Sequence, residues 1–244
     1  MASFDRVADV YDATRSLRSD VMAKAIEALL AHVAGRSVID FGVGTGRFAS
    51  PLAAEGVDVV GVDISNRMIR QALRKRSGDL VLSDAASVPF RDLSFDYALA
   101  AHFMHLVESW RTVIAEMARV ARRGLLTLIE DQQGARPREV YLALREELGY
   151  PTQKLRFGER ELAARVTPAL TEEVVEYQEL FDPEALLAEY KAKLHSVTWD
   201  IPDEVNGRIV REMARRLGEK RKLTRRLSLL GWNREQLLGS HPST

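Results

Sequence analysis

An α/β fold built on a doubly wound, mostly parallel sheet is what this sequence predicts, and three observations carry the prediction. Strand-like and helix-like runs alternate through the first half of the chain, the pattern that forms parallel sheets through right-handed crossovers. Val38 and Ile39 end a short apolar run that closes on Asp40 and then on Gly42, Gly44 and Gly46, ahead of a segment of helical character. Such runs closed by turn residues suit buried parallel strands. A second run, Asp58-Val59-Val60-Gly61-Val62-Asp63, ends in an acid about 20 residues on, where nucleotide-binding α/β units place a ribose-binding carboxylate.

Each element has its own reason. Ser19 or Asp20 caps a predicted helix reaching about Val33, with Val21, Ala25, Ile26, Leu29, Leu30 and Val33 on one apolar face and Gly35 to end it. Strand 1 is Ser37–Phe41. The helix after the glycine turn runs to Glu55, with Pro51 distorting a turn near its start. Strand 2 is Asp58–Asp63, a helix capped by Ser65 or Asn66 runs through Lys75, and Asp79–Ser83 is strand 3. Phe95–Ala101 is strand 4, Glu108–Ala121 an amphipathic helix built on Val113, Ile114, Met117 and Val120, and Leu125–Ile129 strand 5. Beyond these, helices are predicted over Pro137–Leu148 and Glu159–Val166. Val174–Leu180 has the β-propensity of a strand. Asp182 and Pro183 start a helix as cap and first-turn proline, running to about His195, and Pro202–Asp203 start another that buries Val205, Ile209, Val210, Met213 and Leu217. Arg225–Trp232 is a last strand. The sheet then has seven strands, and residues 182–222 form a helical insertion between the last two, set into a domain made of residues 1–181 and 223–244. Long insertions on such folds are commonly lids over a substrate pocket.

Composition narrows the function classes. Lys plus Arg and Asp plus Glu both number 35 in 244 residues, so no net charge draws the whole chain to a polyanion. Cysteine is absent, which excludes disulfides, thiolate metal sites and cysteine nucleophiles. No stretch reaches the roughly 18 apolar residues of a membrane span. The charged opening lacks the apolar core of a signal peptide, so a cytoplasmic location is expected, as a monomer or homodimer.

Glycines let the main chain approach a ligand closely, and the helix that follows aims unpaired N–H groups back at it. Open α/β sheets bind ligands outside the carboxyl ends of their strands. The residues there are Asp40, Asp63, Asp84, His102, His105, Glu130 and Asp131. The glycine spacing is G-x-G-x-G, with Arg47 standing where a dinucleotide-binding loop needs its third glycine, and this weighs against NAD.

Taken jointly, VIDFGVGTGR, VVGVDIS, LVLSDAASVPF and SFDYALAAHFMHLV resemble the class I S-adenosylmethionine-dependent methyltransferases. The likeness is greatest to the small-molecule group that includes the ubiquinone and menaquinone biosynthesis methyltransferases (methyltransferase type 11). The opening FDRVADVYDATR is similar to that group's N-terminal segment, and the resemblance covers Phe4 to about Ile129. It implies a Rossmann-like methyltransferase fold and S-adenosylmethionine as cofactor, with S-adenosylhomocysteine as product. By it, Asp40, Gly42, Val43 and Gly44 surround the methionyl part, Asp63 takes the ribose hydroxyls, and Ile64 and Met68 pack on the adenine. Asp84 accepts from the adenine amino group, the Ala85 N–H meets a ring nitrogen, and the Ala100 carbonyl faces the ammonium. Carboxylates are strong acceptors for a diol and an exocyclic amine. The chain departs from the family at Ala121-Arg122-Arg123-Gly124, where a proline and paired glycines are usual before strand 5, and this shortens a turn. AHFMH in place of Asn-Pro-Pro-aromatic argues against DNA adenine methylation.

Methyl transfer from a sulfonium is an in-line displacement governed by alignment in a dry pocket. A hydroxyl or acidic-carbon acceptor needs a base; His105 is the first candidate and His102 the second, with Glu130 as base or orienting group. Tyr11 is expected over the sulfonium and Arg15 on the cofactor carboxylate, while Trp199, Phe157 and Tyr190 would line an apolar substrate pocket. Two readings compete with a small-molecule acceptor. The run Arg208, Arg211, Arg215, Arg216, Lys220, Arg221, Lys222, Arg225 and Arg226 suits an RNA methyltransferase, although a solvated helix face explains it more simply. A cofactor-binding regulator without catalysis would lack an open acceptor pocket.

Overall fold

The computed structural model describes residues 4–12, 17–132, 136–151 and 157–239. Seven strands form one sheet: β1 Ser37–Phe41, β2 Asp58–Asp63, β3 Asp79–Leu82, β4 Phe95–Leu99, β5 Ala121–Gln132, β6 Leu170–Phe181 and β7 Arg221–Asn233, in the order β3-β2-β1-β4-β5-β7-β6. The β1–β2, β1–β4, β2–β3 and β4–β5 pairs are all parallel. Strand order reverses between β1 and β4, so a crevice opens at their carboxyl ends, which is where such sheets take ligands.

The helices are α1 Ser19–Val33, α2 Ala49–Ala54, α3 Asn66–Arg74, α4 Trp110–Val120, α5 Pro137–Glu147, α6 Glu159–Arg165, α7 Pro183–Lys191, α8 Asp203–Arg216 and α9 Arg234–Gly239. Apolar spacing explains their inward faces: α1 buries Val21, Ala25, Ile26, Leu29 and Val33, and α4 buries Val113, Ile114, Met117 and Val120. Ser65 caps α3, its hydroxyl accepting from Met68 N at 3.1 Å.

Two compact units divide the chain: residues 1–129, 155–175 and 227–244 in the first, residues 130–154 and 176–226 in the second. In the first, Ile39, Phe41, Val62, Ala98, Ile114, Met117, Leu125, Leu230 and Trp232 belong to one buried cluster, each large side chain contributing about 1.5–3 kcal/mol by burial. The second has its own core of Tyr141, Leu144, Tyr190, Ile209 and Met213. There the buried Asn206 accepts from Tyr141 OH at 2.6 Å and donates to the Tyr190 carbonyl at 3.1 Å. Arg145 forks onto Asp200 at 3.0 and 3.1 Å.

Several boundaries differ from the sequence reading, and four of them have a clear physical reason. Ala121-Arg122-Arg123-Gly124 is not a shortened turn but the opening of β5, with Ala121 opposite Phe95 and Gly124 opposite Tyr97. Gly124 has φ +130°, and a Cβ there would lie 1.9 Å from the Trp232 carbonyl oxygen, so the glycine serves strand packing. β6 and β7 are 12 and 13 residues long, well beyond the stretches read from β-propensity. Finally, α7 stops at Lys191 rather than near His195, because Lys193 turns left-handed at φ +54° and folds the His195 ring onto Tyr190, 4.1 Å between centroids.

Candidate functional site

A cleft with about 610 Å³ of free space opens in the first unit at the carboxyl ends of β1, β2 and β4. Its floor is the glycine turn. Gly42, Gly44 and Gly46 all take left-handed backbone, at φ +71°, +56° and +77°, which other residues adopt only with strain. Gly42 and Val43 both donate to the Val62 carbonyl, at 2.9 and 3.0 Å, which ties the turn to the tip of β2. At Gly46 a Cβ would lie 1.9 Å from the buried Ser77 Oγ, so Gly46, not position 47, provides the close packing. Gly46→Ala is expected to lower the thermal midpoint by several degrees, through both the clash and the positive φ; an unchanged melt would show that the turn yields freely.

Asp63, half-buried at the end of β2, is the polar centre of the cleft. Its Oδ2 accepts from Gly44 N at 2.9 Å and its Oδ1 from Ser65 N at 2.8 Å. Burial pushes its carboxyl above the ordinary range, against the lowering effect of those N–H groups. Each oxygen keeps acceptor capacity toward the cleft. Ile64, 42% exposed, and the buried Met68 supply apolar surface beside it, and Ala85 lines the same cleft.

Asp40 is 3% exposed. Burial first, and the neighbouring Asp63 charge second, push its carboxyl up to about 8, with Arg47 opposing them. The other expected residues are placed as follows. Val43 is buried beneath the turn and does not line the cleft. Asp84 is exposed, its Oδ1 closing a local turn by accepting from Ala86 N at 2.8 Å. The buried Ala100 carbonyl accepts from Thr127 Oγ1 at 2.6 Å. Arg15 lies outside the described residues.

The segment after β4 separates the two histidines. His102 lines the cleft and has φ +56°, a left-handed conformation in a residue other than glycine. His105 sits in the one-turn helix Met104–Leu106, does not line the cleft, and has its Cβ facing Gly158. Phe103 presses its ring against Gly42, where a Cβ would approach it to 2.1 Å.

Residues 4–12 supply another wall. Phe4 and Tyr11 line the cleft with their rings edge to face, 6.1 Å between centroids. Three aspartates anchor them: Asp5 accepts from Ser65 Oγ at 2.5 Å, Asp9 from Gln71 Nε2 at 2.8 Å and from Arg67, and Asp12 from Thr45 Oγ1 at 2.6 Å and Lys75 Nζ at 2.5 Å. The reading of the sequence missed these aspartates, although spacings of four and three put them on one helical face.

Other residues singled out in the sequence have local partners. Glu130 accepts from Tyr177 OH and from Arg225 at 2.5 Å, in a partly buried polar cluster of the second unit. Phe157 stacks on Trp110 at 3.6 Å in the core of the first unit, Tyr190 belongs to the core of the second, and Trp199 donates to the Lys193 carbonyl at 2.9 Å. Within the basic run Arg216 pairs with Glu147, Lys220 with Asp182, Arg225 with Glu130 and Arg226 with Glu176. Among the described residues no cluster suits a metal ion, and no helix is long and apolar enough to cross a membrane.

Residues 39–128 match the family model described as "Methyltransferase domain". The chain is 34% identical over 128 residues to a demethylmenaquinone methyltransferase of Renibacterium salmoninarum, covering 50% of this chain and 54% of that protein. It is 32% identical over 138 residues to the demethylmenaquinone methyltransferase of Thermotoga maritima, covering 53% and 60%. The chain thus spans little more than half the length of these relatives. A crystal structure of an S-adenosylmethionine-dependent methyltransferase from Thermotoga maritima superposes with a TM-score of 0.52 at 18% identity, over 93% of this chain and 97% of that one, a likeness of fold.

Proposed function

We propose that this chain, whose residues 39–128 match the "Methyltransferase domain" family model, is an S-adenosylmethionine-dependent methyltransferase that transfers a methyl group to a small-molecule acceptor by in-line displacement. The observation that carries the reading is Asp63, fixed by Gly44 N and Ser65 N at the head of a cleft whose floor is bare glycine backbone. The donor set suits a sulfonium nucleoside. A vicinal diol offers two hydroxyls to one carboxylate, and Ile64, Met68 and Ala85 give apolar faces for a flat base. Above the glycine turn, Gly44 leaves open space: a Cβ there would meet nothing nearer than 3.8 Å.

Bound in this cleft, S-adenosylmethionine supplies an electrophilic methyl with a neutral thioether as leaving group. The rest falls to the protein. Asp40, when ionised, places negative charge beside the turn and favours a cationic ligand. Tyr11 and Phe4 exclude water from one side, and their ring faces suit a sulfonium. A ring nitrogen of His102, not His105, is the group at the cleft wall able to take a proton from an acceptor hydroxyl or acidic carbon.

The test is a thermal-shift series followed by isotope transfer. S-adenosylmethionine and S-adenosylhomocysteine are expected to raise the melting temperature while NAD does not, and labelled methyl is expected in a small-molecule fraction. Stabilisation by NAD alone would overturn the reading, and retention on RNA at low salt would redirect it to a nucleic-acid acceptor.

A further inference from the structure

Glu159 is the first residue of α6, lies outside residues 39–128, and has no part in the account above. Only 8% exposed, its carboxyl is pushed above the ordinary range by burial even though backbone N–H groups donate to it. A glutamate opening a helix is normally solvated, so its burial calls for a partner. That partner is the main chain after β4: Oε1 accepts from two consecutive amides, Phe103 N at 2.9 Å and Met104 N at 3.0 Å.

Two successive amides aim at one oxygen when the backbone changes hand just before them. His102 at φ +56° followed by Phe103 at φ −113°, ψ −44° has that form, the concave arrangement of N–H groups that seats an anion. Left-handed backbone in a histidine persists only where its surroundings enforce it, and the carboxylate of Glu159 is in place to do so. The anchor is itself braced. Glu161 Oε2 accepts from Gly158 N at 2.7 Å, and Phe157 stacks flat on Trp110.

We infer that Glu159 is a positioning residue: by gripping the Phe103 and Met104 amides it holds His102 left-handed and so keeps the imidazole on the wall of the cleft. The inference rests on the methyltransferase reading for the importance of that wall. It stands apart from it in structure, because the grip exists whatever the ligand.

The test uses the full chain with isotope-labelled histidine, His102→Asn to assign the His102 ring resonance, and S-adenosylhomocysteine as probe. In the wild type the probe is expected to move that resonance. In Glu159→Ala the probe still binds within about threefold, through Asp63, but the movement falls at least threefold. Stability gives a second readout, since glycine takes left-handed backbone freely: the drop in melting temperature caused by Glu159→Ala is expected to be smaller in a His102→Gly background than in the wild type. An undiminished resonance shift in Glu159→Ala, or equal drops in both backgrounds, would overturn the inference. Should Glu159→Ala not fold, Glu159→Gln, which keeps the Oε1 acceptor without the charge, is expected to show a partial loss, and none would count against it. If the probe fails to bind the wild type, the methyltransferase reading falls, and the comparison of melting temperatures still decides this one.

Discussion

Replacing Asp63 by alanine is expected to weaken S-adenosylmethionine binding by about 100-fold or more. Hydrogen bonds to a charged acceptor contribute about 1.5–3 kcal/mol each, and the ribose diol would make two. The change also leaves Gly44 N and Ser65 N without their acceptor, so the glycine turn loses a restraint at the same time. Asp63→Asn keeps one acceptor oxygen and is expected to fall between. Calorimetry on the three proteins reads the effect directly. Equal affinity for wild type and Asp63→Ala would remove the ribose from this carboxylate.

Asp40 gives the second large effect, and it depends on pH. The carboxyl is pushed up to about 8 in the folded chain, mainly by burial, whereas an unfolded aspartate titrates near 4. Between those values the native state binds a proton that the unfolded state has released, so stability declines as pH rises through the window, at most about 1.4 kcal/mol per pH unit from this group. Asp40→Asn lacks that slope. Its advantage over the wild type in urea melts is expected to be absent near pH 4 and to grow toward pH 8. A constant difference across that range would show that Asp40 titrates normally. Binding reverses the preference: a cationic ligand favours ionised Asp40, so wild-type affinity for S-adenosylmethionine is expected to rise from pH 6 to 8 with proton release, while Asp40→Asn stays flat.

The parts of the fold that were legible share a physical cause. β1, β2 and the glycine turn are short apolar runs ended by residues with special backbone freedom, and those signals are local. β6 and β7 were read too short because the ends that were missed are polar or charged: Thr171, Glu172 and Glu173 in β6, Arg221, Lys222 and Thr224 in β7. A polar strand end mimics a loop. The start of β5 was hidden in the same way by Arg122 and Arg123, and only its pairing with Phe95 and Tyr97 makes it strand. The place of Asp63 and of the glycines at the ends of β2 and β1 was legible because a tight strand-to-helix turn needs those residue types at that spacing. The order of the two histidines was not, since one left-handed residue decides which ring reaches the cleft. Glu159 carries no local signal: it lies 56 residues from the amide it holds.

The wall made by Phe4 and Tyr11 bears on how small this machine could be. A fragment cut to residues 39–128 would keep the glycines and Asp63 yet lose one side of its enclosure along with Asp5, Asp9 and Asp12. Solvent would then reach the cleft from that side, weakening every charge–dipole contact there by dielectric screening. Residues 4–12 are in that sense part of the vessel itself.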